Sequence, residues 1–121
     1  MTGEGIDYTN PLFQNSDGTT RIVRIWDQTV REGEPPEGIF YGSEYRDKQI
    51  NEALASENPY ELVPSRDENG HGTFLAGVAC GGEDIPNDFI GAAPQADIAV
   101  VKLKEAKPYL REFFFLKEDV P

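Results

Sequence analysis

The only imidazole in the chain, His71, stands in the stretch "DENGHGTFLAGVACGG" between Gly70 and Gly72, directly before a short apolar run. Imidazole is the side chain best suited to take up and return a proton near neutral pH, so a general base is the first chemistry to consider. Flanking glycines let the backbone turn sharply into a helix and let another chain lie close to the ring. A surface-loop histidine on an Asn-Gly turn would read the same way if His71 stood alone. Cys80, also the only one of its kind, lies among Ala79, Gly81 and Gly82. That setting suits a small buried side chain better than a partnered thiolate, and a lone cysteine excludes an internal disulfide and a multi-cysteine metal site. Glu83, Asp84 and Asp88 form an acidic loop, "GGEDIPND", without the ligand spacing and supporting glycine of a calcium loop, so solvation is expected there rather than a cation.

The elements that must position His71 alternate in type. "TRIVRIWDQ" (20–28) is dense in β-branched residues and is expected as a strand, and "IFYGSEY" (39–45) as a second, short one. "REGEPPEG" between them holds two prolines and two glycines and is expected as a loop. Ile50, Ala53 and Leu54 recur at helical spacing in 47–57, with Asn58-Pro59 as a stop. Phe74, Leu75, Val78 and Ala79 form a second helical stripe after His71 and are expected to face the core. "DIAVVKLK" (97–104) is expected as a strand buried on both faces, and "PYLREFFFLKEDVP" (108–121) as the start of a further helix. Trp26, Tyr41, Tyr45 and the Phe113–Phe115 run are expected in core or sheet packing. This alternation predicts an α/β fold with a mainly parallel sheet. Three strands leave an edge or face of such a sheet bare, which predicts truncation and self-association through the exposed edge.

Composition narrows the partners. With 22 acidic against 11 basic residues the net charge is −11, the wrong sign for nucleic acid, which requires a positive field. No apolar run is long enough to cross a membrane, and the first residues carry neither a basic nor an apolar segment of an export signal.

Taken together, several blocks resemble the subtilases, the subtilisin-like serine proteases. His71-Gly72-Thr73 with Ala76-Gly77 matches the histidine motif of that family. Gly91-Ala92-Ala93-Pro94 followed by Val100-Val101-Lys102-Leu103 matches the segment leading into its central strand. Gly5-Ile6-Asp7 with Asn10-Pro11 matches the stretch after the catalytic aspartate, and "IWDQT", "YGSEY" and "INEAL" look like the clostridial branch that includes germination-associated members. The resemblance implies a partial, truncated subtilisin-like three-layer α/β fold, with residues 1–121 the N-terminal portion of a catalytic domain. It implies serine endopeptidase activity on protein or peptide substrates in the parent, with His71 as general base. It also implies substrate contacts at Lys104, Glu105 and Ala106, with no cofactor; some relatives bind calcium, but no clear site stands here. The compartment stays open between cytoplasm, spore and secretion.

Two departures matter. No G-T-S nucleophile motif occurs, since Ser16, Ser43, Ser56 and Ser65 lie in other settings, and the oxyanion asparagine of the family has no counterpart; the 121 residues alone are therefore expected to be inactive. Gly3 stands where the catalytic aspartate belongs, with Glu4 beside it. Three accounts compete: Glu4 substitutes for that carboxylate, the extreme N-terminus is altered, or the parent is a non-catalytic subtilase-fold binding or regulatory module. Asp7 fits a turn rather than catalysis. A complete small interaction domain is the remaining alternative, and it predicts a monomer.

Overall fold

A computed structural model describes residues 1–104. Four strands form one sheet in the order β1-β4-β2-β3: β1 (Thr2–Gly3), β2 (Ile22–Asp27), β3 (Ser43–Arg46) and β4 (Ile98–Lys102). β4 lies parallel to both β1 and β2, and only the β2–β3 pairing is antiparallel. The sheet is therefore α/β and mainly parallel, as the alternation of patterns required.

Among the described residues three helices follow the hairpin strand. α1 (Asp47–Leu54) starts directly from β3, with the Arg46 backbone N–H donating to Gln49 Oε1 at 2.9 Å. It buries Ile50 and Ala53, and Asn51 Oδ1 accepts the Thr20 N–H at 2.8 Å, tying the helix to the approach to β2. α2 (Pro59–Leu62) is a single turn that begins on Pro59, where a missing N–H costs nothing. α3 (His71–Cys80) leads through a loop into β4.

The core gathers Ile6, Tyr8 and Phe13 from the N-terminal segment, Ile22 and Ile25 from β2, Ile50 and Ala53 from α1, Val63, and Ile98 and Val100 from β4. Tyr8 is fully buried; its hydroxyl donates to the Val63 carbonyl at 2.8 Å and its ring meets Tyr60 edge-on at 5.3 Å. Burial holds the Tyr8 phenol well above its ordinary range, with Tyr60 and Asp7 adding to the same effect. Arg21, also buried, donates to the carbonyls of Leu12, Ala93 and Ala96, joining the first turn to the loop before β4.

Several expectations need correction. β3 covers 43–46, not 39–45, because the chain turns at Gly42 with φ +73° and leaves Phe40 96% exposed. α1 ends at Leu54 and not at 57, since Ala55 and Ser56 close the turn back onto Asn51 and Ala53. β4 is covered on one face only: Ile98 and Val100 are buried, whereas Ala99 is exposed. The α3 stripe is inverted. Phe74, Leu75 and Val78 are exposed, and the helix packs inward through Ala76, Gly77 and Cys80, whose small side chains allow close approach. Of the aromatic residues expected inside, Tyr45 is buried, Trp26 half-buried and Tyr41 exposed. The helix expected over 108–121, with its Phe run, lies outside the described residues.

Candidate active site

Three backbone segments converge to set His71 at the start of α3. The first is the turn after β1: Gly5 takes φ +104° and lies against the Arg66 carbonyl and the Lys102 side chain. The second is the loop 63–70, held by Lys102 Nζ donating to the Arg66 carbonyl at 2.7 Å and by the Ser65 hydroxyl donating to Asp27 Oδ2 at 2.5 Å. Asp27 is fully buried at the end of β2, and its other oxygen accepts from the Thr29 N–H and hydroxyl. The third is α3 itself, which enters from Gly70 at φ +81°, a conformation suited to glycine.

The helix N-terminus leaves unpaired N–H groups, and the loop supplies their acceptors. Asp67 Oδ1 accepts from Gly70 N–H at 3.1 Å and Oδ2 from Thr73 N–H at 2.7 Å, while Asn69 Oδ1 accepts from His71 N–H at 2.9 Å. The Thr73 hydroxyl accepts the Asp7 N–H at 2.8 Å, joining helix and turn. Gly72 has a different purpose from the one its position beside the imidazole suggests. A Cβ there would stand 1.9 Å from the Gly5 carbonyl oxygen, so the close neighbour is this chain's own backbone.

The result is an exposed imidazole on a cleft of about 260 Å³ lined by Gly3, Glu4, Gly5, Gly72, Leu75 and Val101 among others. Its walls are largely apolar. His71 and Glu4 share this cleft, and the Glu4 carboxylate accepts from Asn69 Nδ2 at 2.8 Å. Glu4 thus reaches the histidine's backbone through one intervening side chain. Asp7 is occupied by a turn: its Oδ1 accepts from the Thr9 N–H and hydroxyl and from the Tyr60 hydroxyl.

The remaining predicted residues are not gathered here. Lys104 lines a separate cavity of about 410 Å³ with Gln28, Arg31 and Tyr41, and its ammonium lies 4.3 Å from the centre of the Tyr41 ring. Glu105 and Ala106 lie outside the described residues. No serine lines the His71 cleft; the hydroxyls of Ser43, Ser56 and Ser65 donate to Val30, Ala53 and Asp27. Cys80 is buried, its Sγ donating to the Ala76 carbonyl at 3.1 Å, and burial pushes its thiol up, away from the reactive thiolate. Among the described residues no three His, Cys, Asp or Glu side chains are grouped as a metal requires, and no helix is long and apolar enough to cross a membrane. Asp67 and Asn69 were missed in the sequence, although an acidic and an amide residue just before a helix are a recognisable start signal.

The chain has known counterparts in sequence and in fold. A profile of the subtilase family, peptidase S8, matches residues 3–112, and the chain belongs to that family. A solved structure of the CspB protease of Clostridium perfringens is similar over 97% of this chain, with 37% identity and a TM-score of 0.72. The chain spans about a quarter of that protease, 25% of its length. Among curated proteins none matches the chain.

Proposed function

We propose that this chain supplies the general base of a subtilisin-like serine endopeptidase, as the N-terminal portion of its catalytic domain. The exposed His71 imidazole on an open cleft carries the reading, because a base must be reachable by both nucleophile and substrate. His71 takes the proton of a serine hydroxyl supplied by the full-length protein as that oxygen attacks the peptide carbonyl, then returns it to the leaving amine. Lys104, with Glu105 and Ala106, contacts the polypeptide substrate. No cofactor takes part. Without the serine and its oxyanion donors the 121 residues do not hydrolyse peptides, since those groups provide the largest catalytic terms.

Gly3 at the position of the orienting carboxylate is the one observation that favours a second reading, a non-catalytic binding or regulatory module. On the first reading Glu4 compensates by holding Asn69, which in turn fixes the His71 backbone. Hydrolysis of an unfolded protein such as casein separates the two. The first reading expects cleavage by the full-length protein, its loss in His71→Ala, and none by residues 1–121. A full-length protein that binds casein without cutting it would establish the second.

A further inference from the structure

A second cavity lies beside Lys104. Among the described residues its lining includes Gln28, Arg31, Pro35, Phe40, Tyr41 and Lys104, two cations and no carboxylate. That is the reverse of the chain as a whole, where acidic residues outnumber basic ones 22 to 11. Neither cation is consumed by an ion pair among the described residues; the two that are found join Arg24 and Arg46 to Glu44. Acidic residues do occur on the same loop, but Glu32 turns its carboxylate to the Arg31 N–H, and Glu34 and Glu37 do not line the cavity.

Tyr41 and Lys104 are tied to neighbouring residues. Trp26 Nε1 donates to the Tyr41 carbonyl at 3.2 Å, and the two rings lie 5.3 Å apart. The Lys104 ammonium rests over the Tyr41 ring, and the Lys104 N–H donates to Gln28 Oε1 at 3.1 Å. A pocket with two cations beside an aromatic ring, neither cation in an ion pair among the described residues, fits a short acidic side chain with its carboxylate toward the charges.

Position relates this cavity to the His71 cleft. Both open at the carboxyl ends of the strands: Gly3 ends β1 and Glu4 follows it, Lys104 follows β4 and Gln28 follows β2. The Gln28 N–H donates to the Lys102 carbonyl and the Leu103 N–H to the Gly3 carbonyl, so the two cavities flank the end of β4. β1 and β2 are two strand spacings apart, roughly 10 Å, a span that about three residues of extended chain cover.

We propose that the cavity walled by Arg31, Phe40, Tyr41 and Lys104 is a subsite for an acidic side chain, about three residues along an extended polypeptide from the bond at His71. The proposal rests on the peptidase reading for its register, but the binding itself needs no catalysis. It identifies the substrates as polypeptides carrying Asp or Glu near the cleavage point.

The test uses residues 1–121 and three hexapeptides that differ at one position, Glu, Gln or Lys, in amide spectra at low salt. The Glu peptide shifts the amides of Gln28, Arg31, Tyr41 and Lys104 and binds on the order of tenfold tighter than the Gln peptide, the effect of two exposed charge pairs. Raising the salt to about 0.3 M erases most of that difference. The double variant Arg31→Gln, Lys104→Gln, with its other amides unmoved, loses it, whereas His71→Ala keeps it. Equal binding of the Glu and Gln peptides, or shifts confined to other residues, overturns the subsite. Failure of the peptidase reading appears separately, as casein hydrolysis that survives His71→Ala.

Discussion

Replacing Gly72 by alanine tests whether the close approach of two backbones sets His71 in place. The added Cβ would lie 1.9 Å from the Gly5 carbonyl oxygen, and ordinary contact begins at 3.4 Å, so the two segments must part by about 1.5 Å. Gly5 has little room to retreat, because it packs against the Arg66 carbonyl and Lys102, and the bonds on either side of it, Leu103 N–H to Gly3 and Asp7 N–H to Thr73, fix the turn. Losing those two bonds costs about 2 kcal/mol and overpacking a further 1–3 kcal/mol. Alanine gains about 1 kcal/mol in helix propensity, so the net loss is about 2–4 kcal/mol. Urea unfolding followed by far-ultraviolet circular dichroism and by Trp26, the only tryptophan, measures it. Gly70→Ala is the control: nothing lies within 4 Å of its Cβ, and its φ of +81° predicts only about 1–2 kcal/mol. A Gly72→Ala chain as stable as the parent, or more so, would refute the packing argument, since propensity alone favours alanine.

Three further outcomes follow from named contacts. Ser65→Ala removes the buried hydroxyl bonded to Asp27 and is expected to cost about 1–3 kcal/mol in urea unfolding; a loss below about 0.5 kcal/mol would show that the loop is anchored otherwise. Tyr8 has a folded-state pKa raised above its ordinary value of 10.0, chiefly by burial, so its stabilisation is present below about pH 10 and is lost as pH rises further. Unfolding free energy should therefore fall above pH 10, less steeply in Tyr8→Phe; an unchanged slope would remove Tyr8 as the cause. Glu4→Gln keeps an acceptor for Asn69 and should retain most of the full-length protein's turnover, whereas Glu4→Ala should lose roughly ten- to a hundredfold. Equal losses in both would mean that the negative charge itself acts.

Much of the architecture was legible because its signals are periodic or compositional. The β-branched runs around Ile22–Asp27 and Ile98–Lys102 read as strands, and the spacing of Ile50 and Ala53 read as a helix. β1 and α2 escaped because two and four residues carry no period. The inward face of α3 was misread for a physical reason: hydrophobic size marks Phe74, Leu75 and Val78, but the packing there requires small residues, Ala76, Gly77 and Cys80. At the site, His71 stood out by its motif. The acceptors that cap its helix came from Asp67 and Asn69, and the contact that constrains Gly72 comes from Gly5, distant in sequence and visible only once the turn after β1 is folded.

The central claim is that His71 activates a hydroxyl carried by another part of the protein, and labelling of the full-length protein with a serine-directed fluorophosphonate addresses it directly. Labelling should occur in the wild type and fall by at least about a hundredfold in His71→Ala, because an unactivated serine hydroxyl reacts poorly. Undiminished labelling in His71→Ala would contradict the account.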